Sequence, residues 1–218
     1  MSISWQAAML QQLRAALAAA GTVEPYGSAV DDDLLDSWSD LDAAVELTEP
    51  VAFDHLGLGA AWAWQDSRTS DHQTLRTVLP DGRRLDLSVR GDAIAMPQPG
   101  PDNPVRFEAA LAAARIGRGD RLIGLHLTMG ILRECLVIAM LLRDRAEGTD
   151  RHRFGSDLDH RADDVARIAA LPTDPRQRPT IVEQACRLYG DWRAELHPGY
   201  RPDWSGLTAV IDRGTAIR

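Results

Sequence analysis

The segment 91–104 holds Pro97, Pro99, Gly100, Pro101 and Pro104, a density of ring-locked residues that no helix interior or central strand tolerates. The chain therefore divides there. Ahead of this stretch, short β-patterned runs alternate with turn signals. Behind it nearly everything repeats with a helical period. We read 1–96 as one domain, 97–104 as the connection and 105–218 as a second, helical domain. The expected fold class is α+β, a small mixed sheet followed by a helical bundle.

In the first part, a helix is expected over 5–20 and strands over 23–26, 41–47, 61–65, 74–79 and 84–90. Pro80-Asp81-Gly82 lies between the last two strands. Proline presets φ and glycine accepts positive φ, so these two runs read as an antiparallel hairpin. In the second part, helices are expected over 105–116, 120–147, 156–171, 180–196 and 204–213, with Gly148 ending the second and Ser156 capping the third. The run 122–142 is apolar but interrupted by His126, Arg133 and Glu134, which reads as a buried bundle helix rather than a membrane span. Cys135 and Cys186 lack metal-ligand spacing and read as small buried hydrophobes. The start of the chain has no basic, continuously apolar leader, so the expected compartment is the cytoplasm.

The residues that carry chemistry begin at Tyr26-Gly27-Ser28, followed after eleven residues by Asp40-Leu41-Asp42. Carboxylates at i and i+2 of a strand share a face, and at that distance they repel unless a cation lies between them. An all-oxygen pair with no neighbouring Cys or His suits Mg²⁺. Gly-Ser just after a strand suits a tight turn whose backbone approaches an anion. Asp86 adds a third carboxylate, on the face of its strand opposite Leu85 and Leu87. Three carboxylates beside a phosphate cradle are the equipment of two-metal phosphoryl or nucleotidyl transfer.

Gly27-Ser28, Asp40-Leu41-Asp42 flanked by Ser39 and Val45, and the later Asp86 resemble the signature of the nucleotidyltransferase superfamily shared with DNA polymerase beta. The closest resemblance is to its bacterial aminoglycoside nucleotidyltransferases. It implies that Gly27 and Ser28 bind nucleotide phosphate and that Asp40, Asp42 and Asp86 bind Mg²⁺. It also implies that ATP or another NTP is the nucleotide substrate, with Asp86 completing the site or serving as base. Glu134 is a second candidate for the base. The implied activity moves an NMP group, AMP from ATP, to a hydroxyl of a small cationic acceptor such as an amino-sugar antibiotic. A protein-modifying or antitoxin-type transferase acting on a protein partner is the alternative. The chain departs from the family in carrying Ala29-Val30 and then Asp31-Asp32-Asp33 where the family often has a basic residue. It also has no lysine, so Arg84 or Arg90 is expected to meet phosphate. Trp38 is the candidate for stacking on the base. Trp62 and Trp64 read as core, and Arg151-His152-Arg153 as a surface patch by default.

Charge sharpens this reading. The chain carries 24 basic and 32 acidic residues, a net charge of −8, which argues against long nucleic acid as a partner. Between residues 15 and 67 there is no arginine at all, while Glu24, Asp36, Asp54 and Asp66 join the acids already named. The acidity is thus concentrated around the proposed metal site, where it favours cations.

Overall fold

The computed structural model describes residues 4–30, 35–148 and 155–216. Asp31-Asp32-Asp33 and Arg151-His152-Arg153 lie outside the described residues. The chain forms two compact units, one of residues 1–107 with 205–218 and one of residues 108–204. The first unit runs on through Phe107, past the expected connection at 97–104, and it also takes in the last helix, which was expected in the helical domain.

The first unit is a mixed sheet with a helix on one face. Helix α1 (Trp5–Leu17) starts at Ser4, whose hydroxyl accepts from the Ala7 amide, and it buries Met9, Leu13 and Leu17 against the sheet. Five strands, β1 (Gly21–Pro25), β2 (Leu41–Leu47), β4 (Ala63–Arg68), β5 (His72–Val78) and β6 (Arg84–Gly91), pair in the order β1-β2-β6-β5-β4. β2 and β6 run parallel and the other pairs antiparallel. Two short strands, β3 (Val51–Ala52) and β7 (Ile94–Ala95), pair separately.

Alternation along the central strands decides which face is dry. Leu41, Ala43, Val45, Leu85, Leu87, Val89 and Leu75 face the core beneath α1. The intervening residues form a polar face, and the candidate site stands there. The expected hairpin is present, with β5 and β6 paired antiparallel about Pro80-Asp81-Gly82. β4 runs past its expected end through Asp66, Ser67 and Arg68. It is an edge strand, so these residues need no apolar alternation to pair on their inner side. Asn103 caps β4 by accepting from the Trp64 amide and donating to the Trp64 carbonyl.

Helix α6 (Ser205–Thr215) completes this unit. It buries Leu207, Val210 and Ile211, spaced as one helical stripe. A Cβ on Gly206 would fall 2.3 Å from the Trp62 ring, and one on Gly214 would fall 2.2 Å from the Trp38 ring. Two glycines thus let the helix lie directly on two tryptophans, which is why it leaves the helical unit.

The second unit contains the continuation of α2 (Asn103–Gly117), then α3 (Arg121–Glu147), α4 (Arg161–Ala169) and α5 (Thr180–Leu196). The alanines of α2 are buried, and Gly124 of α3 lies against Ile116, so small residues set the spacing of these two helices. Asp120 caps α3 and Gly148 ends it in the left-handed conformation. Ser156, the expected cap, forms a capping box with Asp159 ahead of α4. Cys135 and Cys186 are buried free thiols, and burial pushes the Cys135 thiol up to about 12.

Helix α3 differs from its expectation. It is long and apolar enough to cross a membrane by length and composition, yet only 39% of its most apolar window is buried. Leu132, Cys135 and Ile138 face inward, whereas Leu122, Met129, Leu136 and Met140 are exposed.

The core predicts its own weak points. Leu87 is fully buried in the middle of β6, so Leu87→Ala should cost about 2–5 kcal/mol. The midpoint of urea denaturation, read by circular dichroism, checks this.

Candidate active site

The parallel register of β2 and β6 pairs Asp42 directly with Asp86. On the far side of β6, the antiparallel register sets Arg76 opposite Asp86, and that of β4 sets Gln65 opposite Arg76. On the near side, the Tyr26 amide donates to the Asp42 carbonyl at 3.1 Å, continuing the ladder past the end of β1. One cross-strand row therefore reads Tyr26, Asp42, Asp86, Arg76, Gln65. Its side chains share the polar face by strand alternation.

A second row lies one pleat away. Asp40 stands beside Arg84, whose Nη1 is 3.5 Å from the Asp40 carboxylate. The Arg84 side chain is only 9% exposed, and its Nη2 donates to the Trp38 carbonyl. In the first row, Arg76 Nε donates to Asp86 Oδ2 at 2.8 Å, and Arg76 Nη1 donates to Gln65 Oε1 at 3.4 Å. Two guanidinium groups thus stand among three carboxylates that would otherwise repel.

The turn that follows β1, a 3₁₀ segment at Gly27–Val30, abuts this row. Gly27 has a φ of 60°, and a Cβ there would lie 2.8 Å from Asp42 Oδ2. Glycine supplies both the left-handed backbone and the space for the carboxylate. Tyr26 is affected in turn. Burial, and then the charges of Asp86 and Asp42, push its phenol up to about 12, with Asp40 adding to them and Arg76 opposing.

The entry to β2 is built by local bonds. Asp36 accepts from the Trp38 amide at 2.8 Å and from the Ser39 hydroxyl at 3.1 Å. The Ser37 hydroxyl donates to the Gly214 carbonyl of α6 at 2.6 Å. Asp36, grouped with the acidic run by sequence, instead organises the turn that delivers Asp40 and Asp42.

Gly27, Ser28, Asp40, Asp42 and Asp86 thus fall in one region of the polar face. Several expectations are corrected. Arg84 does not present itself to a phosphate, because it is buried and spends donors on Trp38 and Asp40. Arg90 lies on the same face as Asp86 but four residues further along β6, roughly 13 Å away. Trp38 is packed under α6 and offers no ring for stacking. The three aspartates share a face without sharing a point. Among the described residues, no three His, Cys, Asp or Glu side chains converge to hold a metal ion. The donor chemistry nonetheless fits a hard divalent cation, being three carboxylates with no sulfur or imidazole. Asp40 and Asp86 lean towards their arginines instead.

Sequence reading missed Arg76 and Gln65, and it gave Tyr26 no role beyond opening the Gly-Ser turn. A signal for Arg76 existed, since a hairpin turning at Asp81 places residue 76 opposite residue 86.

In the second unit, Glu134 pairs with its neighbour Arg133 at 3.1 Å, although adjacent positions on a helix do not face each other. Long side chains bridge that divergence. Glu108 of α2, also missed, lies against Gly130, where a Cβ would fall 2.9 Å from its carboxylate. Burial raises the pKa of Glu108, against the pull of Arg133 and His126 and with the push of Glu134.

No family model matches the chain, and no curated protein does. Among solved structures the chain is similar to an aminoglycoside 6-adenyltransferase from Bacillus subtilis. The match covers 98% of this chain and 99% of that one, at 10% identity and a TM-score of 0.37. A likeness that loose assigns no residue a role.

The electrostatics of the row are directly measurable. Asp86→Asn removes a negative neighbour and leaves Arg76 without its carboxylate, and both changes stabilise the phenolate. The Tyr26 pKa should fall from about 12, whereas Arg76→Gln should raise it. NMR titration of ring-labelled tyrosine, assigned with Tyr26→Phe, reads the shift.

Proposed function

We propose that the chain is a Mg²⁺-dependent nucleotidyltransferase that moves AMP from ATP onto a hydroxyl of a small cationic acceptor of the amino-sugar class. The observation that carries this reading is the row itself. Asp42 and Asp86 are adjacent on parallel strands, Asp40 is one pleat away, and the Gly27-Ser28 turn is pressed against Asp42.

Asp40, Asp42 and Asp86 would hold the cation, which when bound neutralises triphosphate charge and polarises the reacting phosphate. Gly27 keeps the backbone close to that position, and Ser28 adds a hydroxyl beside it. The acceptor oxygen attacks the α-phosphorus, its bond to the β-phosphate oxygen breaks, and pyrophosphate leaves. The acceptor's proton passes to Asp86. We favour Asp86 over Glu134 as base because Asp86 stands in the row beside Asp42, whereas Glu134 belongs to the second unit. Positioning and charge supply the acceleration, with no covalent intermediate on the protein.

The surrounding acidity supports a cationic acceptor. The stretch from residue 15 to 67 has no positive side chain other than its histidine, so an amino-sugar approaches a negative surface.

Pyrophosphate release from each of the four NTPs, measured over a panel of aminoglycosides, tests the proposal. Release should require both ATP and an acceptor. It should fall at least about a hundredfold in Asp42→Asn, since even residues one step removed from a metal's ligands cost up to that much. Acceptor-independent release, or release unchanged in Asp42→Asn, would sink the reading.

A further inference from the structure

Arg76 is the charged row residue with no part in the reaction as set out above, unlike the carboxylates it faces, and its placement is specific. It faces Asp86 in register and donates to it at 2.8 Å. Its side chain is 45% exposed, against 9% for Arg84, so it can swing into solvent without opening the core. Gln65, the next residue in the row, accepts from its other nitrogen. Arg84 has no comparable freedom, being held by a backbone carbonyl and a carboxylate under cover.

Resting on the nucleotidyltransferase reading, we propose that Arg76 is an exchangeable counter-ion. It neutralises Asp86 before the divalent cation binds, is displaced from Asp86 by that cation, and then binds the phosphates of the incoming nucleotide. Two facts join here. A guanidinium on Asp86 Oδ2 and a hard cation on the same carboxylate carry like charge and repel, so binding of the divalent ion weakens the Arg76 pair. A chain without lysine must also meet a triphosphate with arginine, whose fork suits phosphate oxygens. Arg76 is adjacent to the carboxylates and half exposed, whereas Arg84 is buried and Arg90 is distant along its strand.

The two roles predict opposite signs, and that is the test. Mn²⁺ binding to the full chain, followed by electron paramagnetic resonance with no nucleotide present, should tighten about two- to fivefold in Arg76→Gln. A half-exposed ion pair opposes the metal by no more than that. In the presence of saturating Mn²⁺, binding of α,β-methylene ATP, followed by calorimetry, should weaken at least about tenfold in Arg76→Gln. Arg76→Lys, which keeps the charge without the fork, should recover part of that loss. Thermal midpoints establish that each variant is folded.

Equal or weaker Mn²⁺ binding in Arg76→Gln overturns the displacement, and unchanged nucleotide binding overturns the phosphate role. In either case, loss of Mn²⁺ in Asp42→Asn leaves the metal-site reading standing. Failure of wild type and Arg76→Gln alike to bind Mn²⁺ overturns that reading and this inference together.

Discussion

The parallel pairing of β2 with β6 sets Asp42 beside Asp86 at strand spacing, about 4.8 Å, and the first unit is organised around that placement. Two carboxylates this close destabilise one another unless cations or donors intervene. The fold answers from both sides. Arg76 reaches in from β5, and Arg84 reaches across to Asp40 from the base of β6. The pairing itself cannot slip. A one-residue shift of either strand would turn its own aspartate into the core and bring its neighbouring leucine, Leu41 or Leu85, to water. The dry face beneath α1 therefore holds the charged face in register, and the apolar alternation specifies the chemistry opposite it.

A second layer of support comes from α6, which returns from the end of the chain to lie on Trp38 and Trp62. Trp38 is one residue from Ser39 and two from Asp40, so the helix braces the segment that delivers the first two aspartates. The Ser37 bond to Gly214 and the Asp36 turn fix the same segment from either side. The site is thus built from elements far apart in sequence, and its acidic strand is anchored by a carboxylate that is not itself in the row. The helical unit follows different rules. Buried alanines and glycines bring α2 and α3 close, while much of α3 keeps its apolar side chains on the surface.

A good part of this was legible beforehand. Alternation placed β2 at Leu41–Leu47 without error, and Pro80-Asp81-Gly82 identified the hairpin, because turn chemistry and period-two patterning are local properties. The capping residues Ser156 and Gly148 were readable for the same reason. Trp38, Arg84 and the last helix were misread because their roles depend on partners distant in the chain. Trp38 reads as an aromatic near a site until Gly214 lies on it. Arg84 reads as a phosphate ligand until its carbonyl partner buries it. Residues 204–213 read as one more bundle helix, since nothing local says which surface its stripe will cover.

By itself, then, the sequence determined the change from strand to helical patterning around the proline-rich segment, the strand faces that carry Asp42 and Asp86, and a glycine turn after β1 whose backbone can approach an anion. These follow from ring constraints, side-chain alternation and steric room, which act within a few residues. Only the tertiary structure decided that Asp42 neighbours Asp86 in a parallel pair, that one arginine is locked under cover while another stands half free beside the carboxylates, and that the chain's end returns to brace its beginning. Those outcomes depend on which strands meet and what buries what. Charge balance and burial are settled between segments brought together by folding.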